Sequence, residues 1–227
     1  MIQEYFSKSY YWKIDGKPYF SFYDLNKLVE GFGSVEKTRK GLDLFREKAK
    51  KAGLPGLHLN AVFWNQVLLP ETKEIADPGK LIADLGFDSC ASYCWAHHGG
   101  MDVFPLSSYE TQKEVYFDHW KKTETAFKPP YIPNVSIGWD CSARSDQTKP
   151  WVQGSYPFTP VIQGTPALFQ ESVQETIRRL KQPGNHLPTF NINSWNEWTE
   201  GSYLEPDKLH KWGYLKALKA ALAAEKQ

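Results

Sequence analysis

Two short apolar runs, Gly56-Leu57-His58-Leu59-Asn60-Ala61-Val62-Phe63-Trp64 and Phe87-Asp88-Ser89-Cys90-Ala91-Ser92-Tyr93-Cys94-Trp95, flank a helical pattern at Pro78–Leu85. The helix has its own start signal, because Asp77 is a favoured N-cap residue and Pro78 suits the first helical position. Alternation of buried strands with helices is typical of a parallel sheet that has helices packed on it. This stretch therefore predicts an α/β fold.

The same alternation occurs five times along the chain. Apolar runs are predicted at Pro18–Tyr23, Gly56–Trp64, Phe87–Trp95, Asn134–Trp139 and Leu187–Trp195, and helices at Val35–Ala52, Pro78–Leu85, Ser107–Phe127, Ala167–Lys181 and Leu209–Ala224. No glycine-rich phosphate loop follows any run, so a barrel is favoured over a nucleotide-binding doubly wound sheet. A complete (β/α)8 TIM barrel needs eight units and about 250 residues. Five units in 227 residues predict one domain, residues 1–227, and leave three units unaccounted for, so either strands have been missed or the barrel is incomplete and open.

An open barrel of this kind has two bare edges. We expect five parallel strands, with unpaired backbone groups on the first strand near Tyr19–Tyr23 and on the last near Phe190–Ser194. Such edges favour self-association or pairing with an amino-terminal segment.

The composition excludes several classes of protein. With 27 basic and 26 acidic side chains the net charge is +1, which does not suit a nucleic-acid-binding protein. No stretch approaches the roughly 20 apolar residues of a membrane span, and the first residues lack the layout of a signal peptide. We therefore expect a soluble protein, cytoplasmic if Met1 is the true start.

The three cysteines carry no disulfide framework in this interpretation. Cys90, Cys94 and Cys141 are an odd number in a chain without a secretion signal. His97 and His98 follow Cys94 closely, but the spacing fits no closed zinc pattern. We expect neither a metal nor another cofactor.

Aromatic residues are unusually frequent, with 9 Trp, 12 Tyr and 13 Phe, and four of the five runs end in tryptophan. These are Trp64, Trp95, Trp139 and Trp195. They are either core fillers or, since barrel sites form at the carboxyl ends of strands, a platform on which sugar rings stack. Polar residues nearby are predicted to contact sugar hydroxyls: His97, Asp140, Arg144, Asn196, Tyr203 and Glu205. Two alternatives stay open: Asp140 and Arg144 form an ion pair that fixes the loop, and His97 and His98 are structural.

The densest polar cluster follows the last run. Glu197 and Glu200 lie three residues apart between Trp195 and Trp198, so a turn brings both carboxyls over one cavity. Glycoside chemistry needs one neutral and one charged carboxyl, and crowding drives two pKa values apart. The alternative is that these glutamates cap the last helix or pair with surface lysines.

Several separated motifs resemble one known group of proteins. The run Asn196-Glu197-Trp198-Thr199-Glu200-Gly201 with Glu205-Pro206 resembles the signature of family 99 glycoside hydrolases and, more closely, of WbsX-type, family-99-like proteins. The stretch YWKIDGKPY at 11–19, Gly138-Trp139-Asp140 with Arg144, and YLEPD at 203–207 resemble the same proteins in the same order.

This resemblance implies a (β/α)8 barrel that acts without a metal on glycans, α-mannosides among them, in bacterial polysaccharide or lipopolysaccharide metabolism. It implies that Glu197 is the base that takes the proton of a sugar 2-hydroxyl, which attacks the anomeric carbon, and that Glu200 is the acid and then base, with net retention. Similar proteins carry three further strand–helix units before the turn at 11–19, which agrees with the count above. The resemblance therefore implies that the first three of the eight units are the ones this chain lacks. Two alternatives remain: a non-catalytic glycan-binding component, and a glycosyltransferase, for which no diphosphate-binding motif is found.

Overall fold

The computed structural model describes residues 1–65, 73–154 and 156–224, and it is an α/β fold with two compact units. The first unit comprises residues 1–63, 75–91 and 126–131. The second comprises the described parts of residues 64–74, 92–125 and 132–227.

The first unit holds the larger sheet. After a π-helical turn at Ile2–Phe6, its elements are β1 (Lys13–Ile14), β2 (Lys17–Phe22), α1 (Leu25–Phe32), α2 (Val35–Lys51), β3 (His58–Phe63), α3 (Pro78–Leu85), most of β4 (Ser89–Ser92) and the start of β6 (Tyr131–Ile132). The side chains of Asp24, Ser34 and Asp77 each accept a hydrogen bond from the backbone N–H three residues on, and so begin α1, α2 and α3. The start at Asp77 is confirmed.

The larger sheet has the strand order β1-β2-β3-β4-β6. Strands β2 and β3 are parallel, with Tyr19 opposite His58. Strand β1 is antiparallel to β2 and joined to it through Asp15 and Gly16, both at positive φ. The backbone N–H of Tyr19 donates to Trp12 and its carbonyl accepts from the Tyr11 hydroxyl. The expectation of an unpaired edge is therefore wrong at Tyr19, because the preceding hairpin covers it.

The second unit holds three two-stranded sheets. Its elements are 3₁₀ turns at Trp95–His98, Ser142–Arg144 and Trp198–Glu200, strands β5 (Leu106–Ser107), β7 (Asn134–Ser136), β8 (Val161–Ile162), β9 (Asn191–Asn193), β10 (Asn196–Glu197) and β11 (Ser202–Tyr203), and helices α4 (Tyr109–Ala126), α5 (Pro166–Leu180) and α6 (Gly213–Ala224). The pairs are β5 with β8 and β7 with β9, both parallel, and β10 with β11, antiparallel. Helices α5 and α6 pack together, with the Phe169 and Tyr214 rings edge to face.

The prediction of one sheet with five parallel strands needs correction. The fourth run contains only β7, and Pro133, which has no N–H to donate, separates it from β6, a strand that was not predicted. The fifth run contains β9, which pairs with β7 in a separate sheet. The larger sheet reaches five strands through β1, which is antiparallel to β2. The described residues form no closed sheet of eight strands.

The predicted helices are present: α3 has the predicted bounds, and the others differ from prediction at one or both ends. Helix α6 begins at Gly213 and not at Leu209, because Asp207 and Lys211 close a turn through two backbone hydrogen bonds. Helix α1, which was not predicted, has an Asp24 cap and a Gly33 end that the sequence could have shown. Among the described helices, none has both the length and the apolar character that crossing a bilayer requires.

Candidate active site

The loops that follow β7 and β9 in the second unit are joined by hydrogen bonds at their base. The backbone N–H of Asp140 donates to the carbonyl of Glu200 at 2.7 Å, and the buried Ser202 hydroxyl donates to the carbonyl of Gly138 at 2.6 Å. Gly201 lies at φ +62°, and a Cβ there would lie 2.7 Å from the Cβ of Asp140. Only glycine fits this approach, and it brings residues 140–144 beside residues 197–200.

Glu197 and Glu200 share one cation. Arg144 donates from Nη2 to Glu197 Oε1 and from Nη1 to Glu200 Oε1, each at 3.0 Å. Its remaining contacts are the Thr199 hydroxyl at 2.7 and 2.9 Å and the Tyr156 hydroxyl at 2.5 Å. The two carboxyls that the sequence singles out therefore lie side by side, and Arg144 holds them.

The alternative partners suggested by the sequence are not the ones observed. Asp140 accepts a hydrogen bond from the backbone N–H of Ser142, and Arg144 pairs with the two glutamates. The alternative of an Asp140–Arg144 ion pair is therefore wrong. The hydrogen bonds between the two loops place Arg144 beside Glu197 in β10 and Glu200 in the 3₁₀ turn that follows. Glu197 and Glu200 likewise pair with this arginine rather than with surface lysines.

The two carboxyls differ in their surroundings. The side chain of Glu200 is 6% exposed and that of Glu197 is 36% exposed. Burial raises the pKa of Glu200, and the charge of Glu197 raises it further, while Arg144 and the Tyr93 hydroxyl act in the opposite direction. Burial is the largest of these effects, so Glu200 holds its proton to a higher pH than a free glutamic acid.

An aromatic cluster adjoins Glu200. The Tyr93 hydroxyl donates to Glu200 Oε2 at 3.4 Å, and the Tyr93 ring lies 6.0 Å from the ring of the buried His97. His97 also contacts the rings of Trp64 and Trp139, at 5.4 and 6.1 Å. The sequence interpretation missed Tyr93, although its place at the end of the third run is a usable signal. Tyr156 was also missed, and its place in a long irregular loop gave no signal.

The four run-ending tryptophans divide into two classes. Trp95 and Trp139 are each 1% exposed, so they lie in the core and present no face to a ligand. Their indole N–H groups donate to the Asn134 carbonyl and the Thr159 hydroxyl. Trp195 is 54% exposed and Trp64 is half-buried. The core interpretation therefore applies to Trp95 and Trp139, and a platform is possible only for Trp64 and Trp195.

The hairpin of β10 and β11 carries the remaining predicted residues. Asn196 pairs with Tyr203 across the hairpin, and the Tyr203 ring stacks on Trp198 at 3.8 Å. The Trp198 indole N–H donates to Glu205 Oε2 at 2.6 Å. Glu205 thus braces the hairpin that presents Glu197, while Asn196 is exposed beside it.

The histidine and cysteine residues that the sequence analysis considered for metal binding lie in the protein interior. His98 is buried, stacks on His119 at 3.8 Å and bonds to the Ser92 hydroxyl at 2.7 Å, which is the structural alternative for this residue. Burial lowers the pKa of His98 well below its ordinary value. Cys90, Cys94 and Cys141 are buried free thiols. Within the described part of the chain, no three His, Cys, Asp or Glu side chains are grouped to hold a metal.

We expect Arg144→Gln to raise the pKa of Glu200 further. The variant removes the cation that favours the Glu200 carboxylate, so the proton leaves Glu200 only at a higher pH. Titration of the Glu200 carboxyl carbon by NMR measures this directly. Arg144→Lys keeps the charge and should give a smaller rise. A fall, or no change, in Arg144→Gln would contradict the assigned ion pair.

The family follows from the comparison of the whole chain with known families. Residues 1–218 match the family described as glycosyltransferase WbsX. The chain belongs to the WbsX family. Over 93 residues this WbsX-family chain is 32% identical to the protein WxcX of two strains of Xanthomonas campestris pv. campestris. That match covers 40% of this chain and 12% of WxcX, so the chain spans a small part of that protein.

The fold of this WbsX-family chain is similar to that of solved structures. It resembles the GH99 endo-alpha-mannosidase of Bacteroides thetaiotaomicron, with a TM-score of 0.53 and 14% identity, over 99% of this chain and 59% of the enzyme. The same enzyme in complex with bis-tris-propane gives the same score over 62% of its length. The chain therefore spans about three-fifths of these structures, and the likeness concerns the fold.

Proposed function

We propose that this protein acts on glycans and that Glu197 and Glu200 work as a pair at a glycosidic bond. The observation that carries the proposal is the carboxyl pair held by Arg144, in which one member is buried with a raised pKa and the other is accessible. Glycoside chemistry requires this difference between two carboxyls. Membership of the WbsX family and the likeness to a GH99 fold support the same proposal.

The difference between the two environments supports a separate role for each glutamate in this proposal. Burial raises the pKa of Glu200 and so favours its protonated form, and Glu200 gives its proton to the leaving glycosidic oxygen as the bond from that oxygen to the anomeric carbon breaks. Glu197 takes the proton of the hydroxyl that attacks the anomeric carbon, which the family resemblance identifies as the 2-hydroxyl of the same sugar. In the second half-reaction an incoming hydroxyl adds to the anomeric carbon and gives its proton to Glu200, while the bond from the anomeric carbon to the 2-oxygen breaks. Glu197 returns its own proton to the internal oxygen, so protons balance and configuration is retained.

The incoming hydroxyl decides between hydrolysis and transfer. Water gives a hydrolase, as in the GH99 enzyme, whereas a sugar hydroxyl gives a transferase, in accordance with the family description. Both outcomes use the same pair of glutamates. We favour hydrolysis of α-mannoside-type or related bacterial glycans, since the sequence contains no phosphate loop for a nucleotide-activated donor.

The test is a screen of α-mannans and bacterial polysaccharides for released reducing sugar. Native chain and Glu200→Gln are compared, and products made in H₂¹⁸O separate hydrolysis from transfer, because only water carries the label into the product. Release that depends on Glu200 supports the proposal. Binding without release, equal for both proteins, would favour the non-catalytic alternative.

Trp195→Ala should weaken glycan binding by about 1–3 kcal/mol, which is a rise in Kd of about 5- to 150-fold. Trp195 is the most exposed of the tryptophans that end the runs, and it lies two residues before Glu197 in the sequence. Isothermal titration with a glycan that the native chain binds measures the effect. Trp212→Ala is a matched control, because Trp212 is similarly exposed but was not assigned to the site. Equal Kd values for native chain and Trp195→Ala would remove Trp195 from the platform.

A further inference from the structure

A cavity of about 410 Å³ lies in the second unit, between the segment that leads into α5 and the segment that leads into α6. Its volume falls within the range of about 300–1,000 Å³ that small-molecule sites occupy. Asp140, Gln163, Thr165, Tyr203, His210 and Tyr214 are among the residues that line it. Glu197, Glu200, Arg144 and Trp195 are not among them, so this cavity is distinct from the carboxyl pair.

Hydrogen bonds connect the segments that form the walls of the cavity. Trp139 and Ile162 exchange two backbone hydrogen bonds, at 2.9 and 2.7 Å, and the Tyr214 hydroxyl donates to the Gly164 carbonyl at 2.9 Å. A Cβ on Gly164 would lie 1.8 Å from the carbonyl oxygen of Ile137, so the two segments approach as closely as glycine allows. These contacts hold the backbone on both sides of the cavity in place.

The lining suits a neutral polyhydroxylated ligand. It offers a carboxylate, a carboxamide, an imidazole and hydroxyl groups, which together donate to and accept from sugar hydroxyls. The rings of Tyr203 and His210 add apolar surface. Among the described residues that line it, none is lysine or arginine, and Asp140 brings a negative charge. Phosphate and other anions are therefore disfavoured here.

The cavity is connected to the carboxyl pair through the backbone. Asp140 lines it and donates its N–H to the carbonyl of Glu200, and Gly201 and Tyr203 line it from the same segment that carries Glu200. We propose that this cavity is a second glycan subsite, which takes a neutral sugar unit of the chain that is processed at Glu197 and Glu200. This inference rests on the proposed function and deepens it: the substrate is an oligosaccharide long enough to reach both places.

The test compares binding of a ladder of α-mannan oligosaccharides, from disaccharide to octasaccharide, by isothermal titration. The double variant Gln163→Ala/His210→Ala removes two lining side chains, while the hydrogen bond from the backbone N–H of residue 210 to the Asp207 carboxylate is kept. Its Kd relative to the native chain should rise with oligosaccharide length, reaching about tenfold for the longest members. Lys208→Ala, an exposed change in the same segment that does not line the cavity, is the matched control. Circular dichroism establishes that each variant is folded.

Three other outcomes decide against the inference in different ways. A loss that is the same for every length, or no loss, overturns the second subsite while the proposed function stands. Trp195→Ala serves as the reference for a uniform loss, since it should weaken the binding of oligosaccharides of every length by a similar factor. A native chain that binds no member of this ladder, or of a matching ladder from bacterial polysaccharides, overturns both the proposed function and the subsite.

Discussion

Glu200→Gln should lower the turnover number on a glycan substrate by at least about 100-fold, with the Kd for that glycan within about threefold of the native value. Glutamine fills the same space and still accepts a hydrogen bond from Arg144, so the site keeps its shape. It has no proton to give to the leaving oxygen. Glu197→Gln should have an effect of similar size, because an amide is a very weak base.

The control for this pair is Glu171→Gln, an exposed glutamate on α5 outside the site. Its turnover should equal that of the native chain. Substrates with good leaving groups give a sharper test, since they need little help from an acid. Their cleavage should depend on Glu197 more than on Glu200. Near-native turnover in either glutamate variant would exclude that residue from the mechanism.

The fold was predictable from sequence where local signals and the burial pattern agree. Asp77 and Pro78 predicted the start of α3 correctly, and the run at 56–64 contains β3. Sheet membership was not predictable in the same way. Strand pairing depends on contacts between distant residues, and β6 and β7, which stand on either side of Pro133, belong to different sheets.

The candidate site was predictable in residue types but not in partners. The spacing of Glu197 and Glu200 correctly indicated neighbouring carboxyls, because three residues in a tight turn leave few arrangements. The ion-pair partners of Arg144 depend on the close approach of Gly201 to Asp140. This contact joins residues that are far apart in the sequence, so no local sequence pattern predicts it. Tryptophan position was ambiguous for a similar reason. The end of a strand is either a rim or a core layer, and burial alone separates Trp95 from Trp195.

Trp95→Ala should lower the free energy of unfolding by about 3–5 kcal/mol, the range measured when a buried large aromatic residue is truncated. Trp95 stacks on Tyr116 at 5.4 Å and contacts Tyr109 at 5.2 Å. Its indole N–H donates to the carbonyl of Asn134 at 2.8 Å, so truncation also leaves a buried acceptor without this donor. Urea denaturation followed by circular dichroism measures the loss.

Comparison with Trp195→Ala separates stability from binding. Trp195 is half exposed, so its truncation should cost less than about 1 kcal/mol of stability while it weakens glycan binding. Trp95→Phe keeps a ring in the core and loses the indole donor, and it should cost less than Trp95→Ala, so the comparison holds even where Trp95→Ala does not fold. Equal losses of stability for Trp95→Ala and Trp195→Ala would contradict the division of these tryptophans into core and platform. A ring buried in the core stabilises the fold and has no face free to stack on a sugar, so only the exposed rings can form the platform.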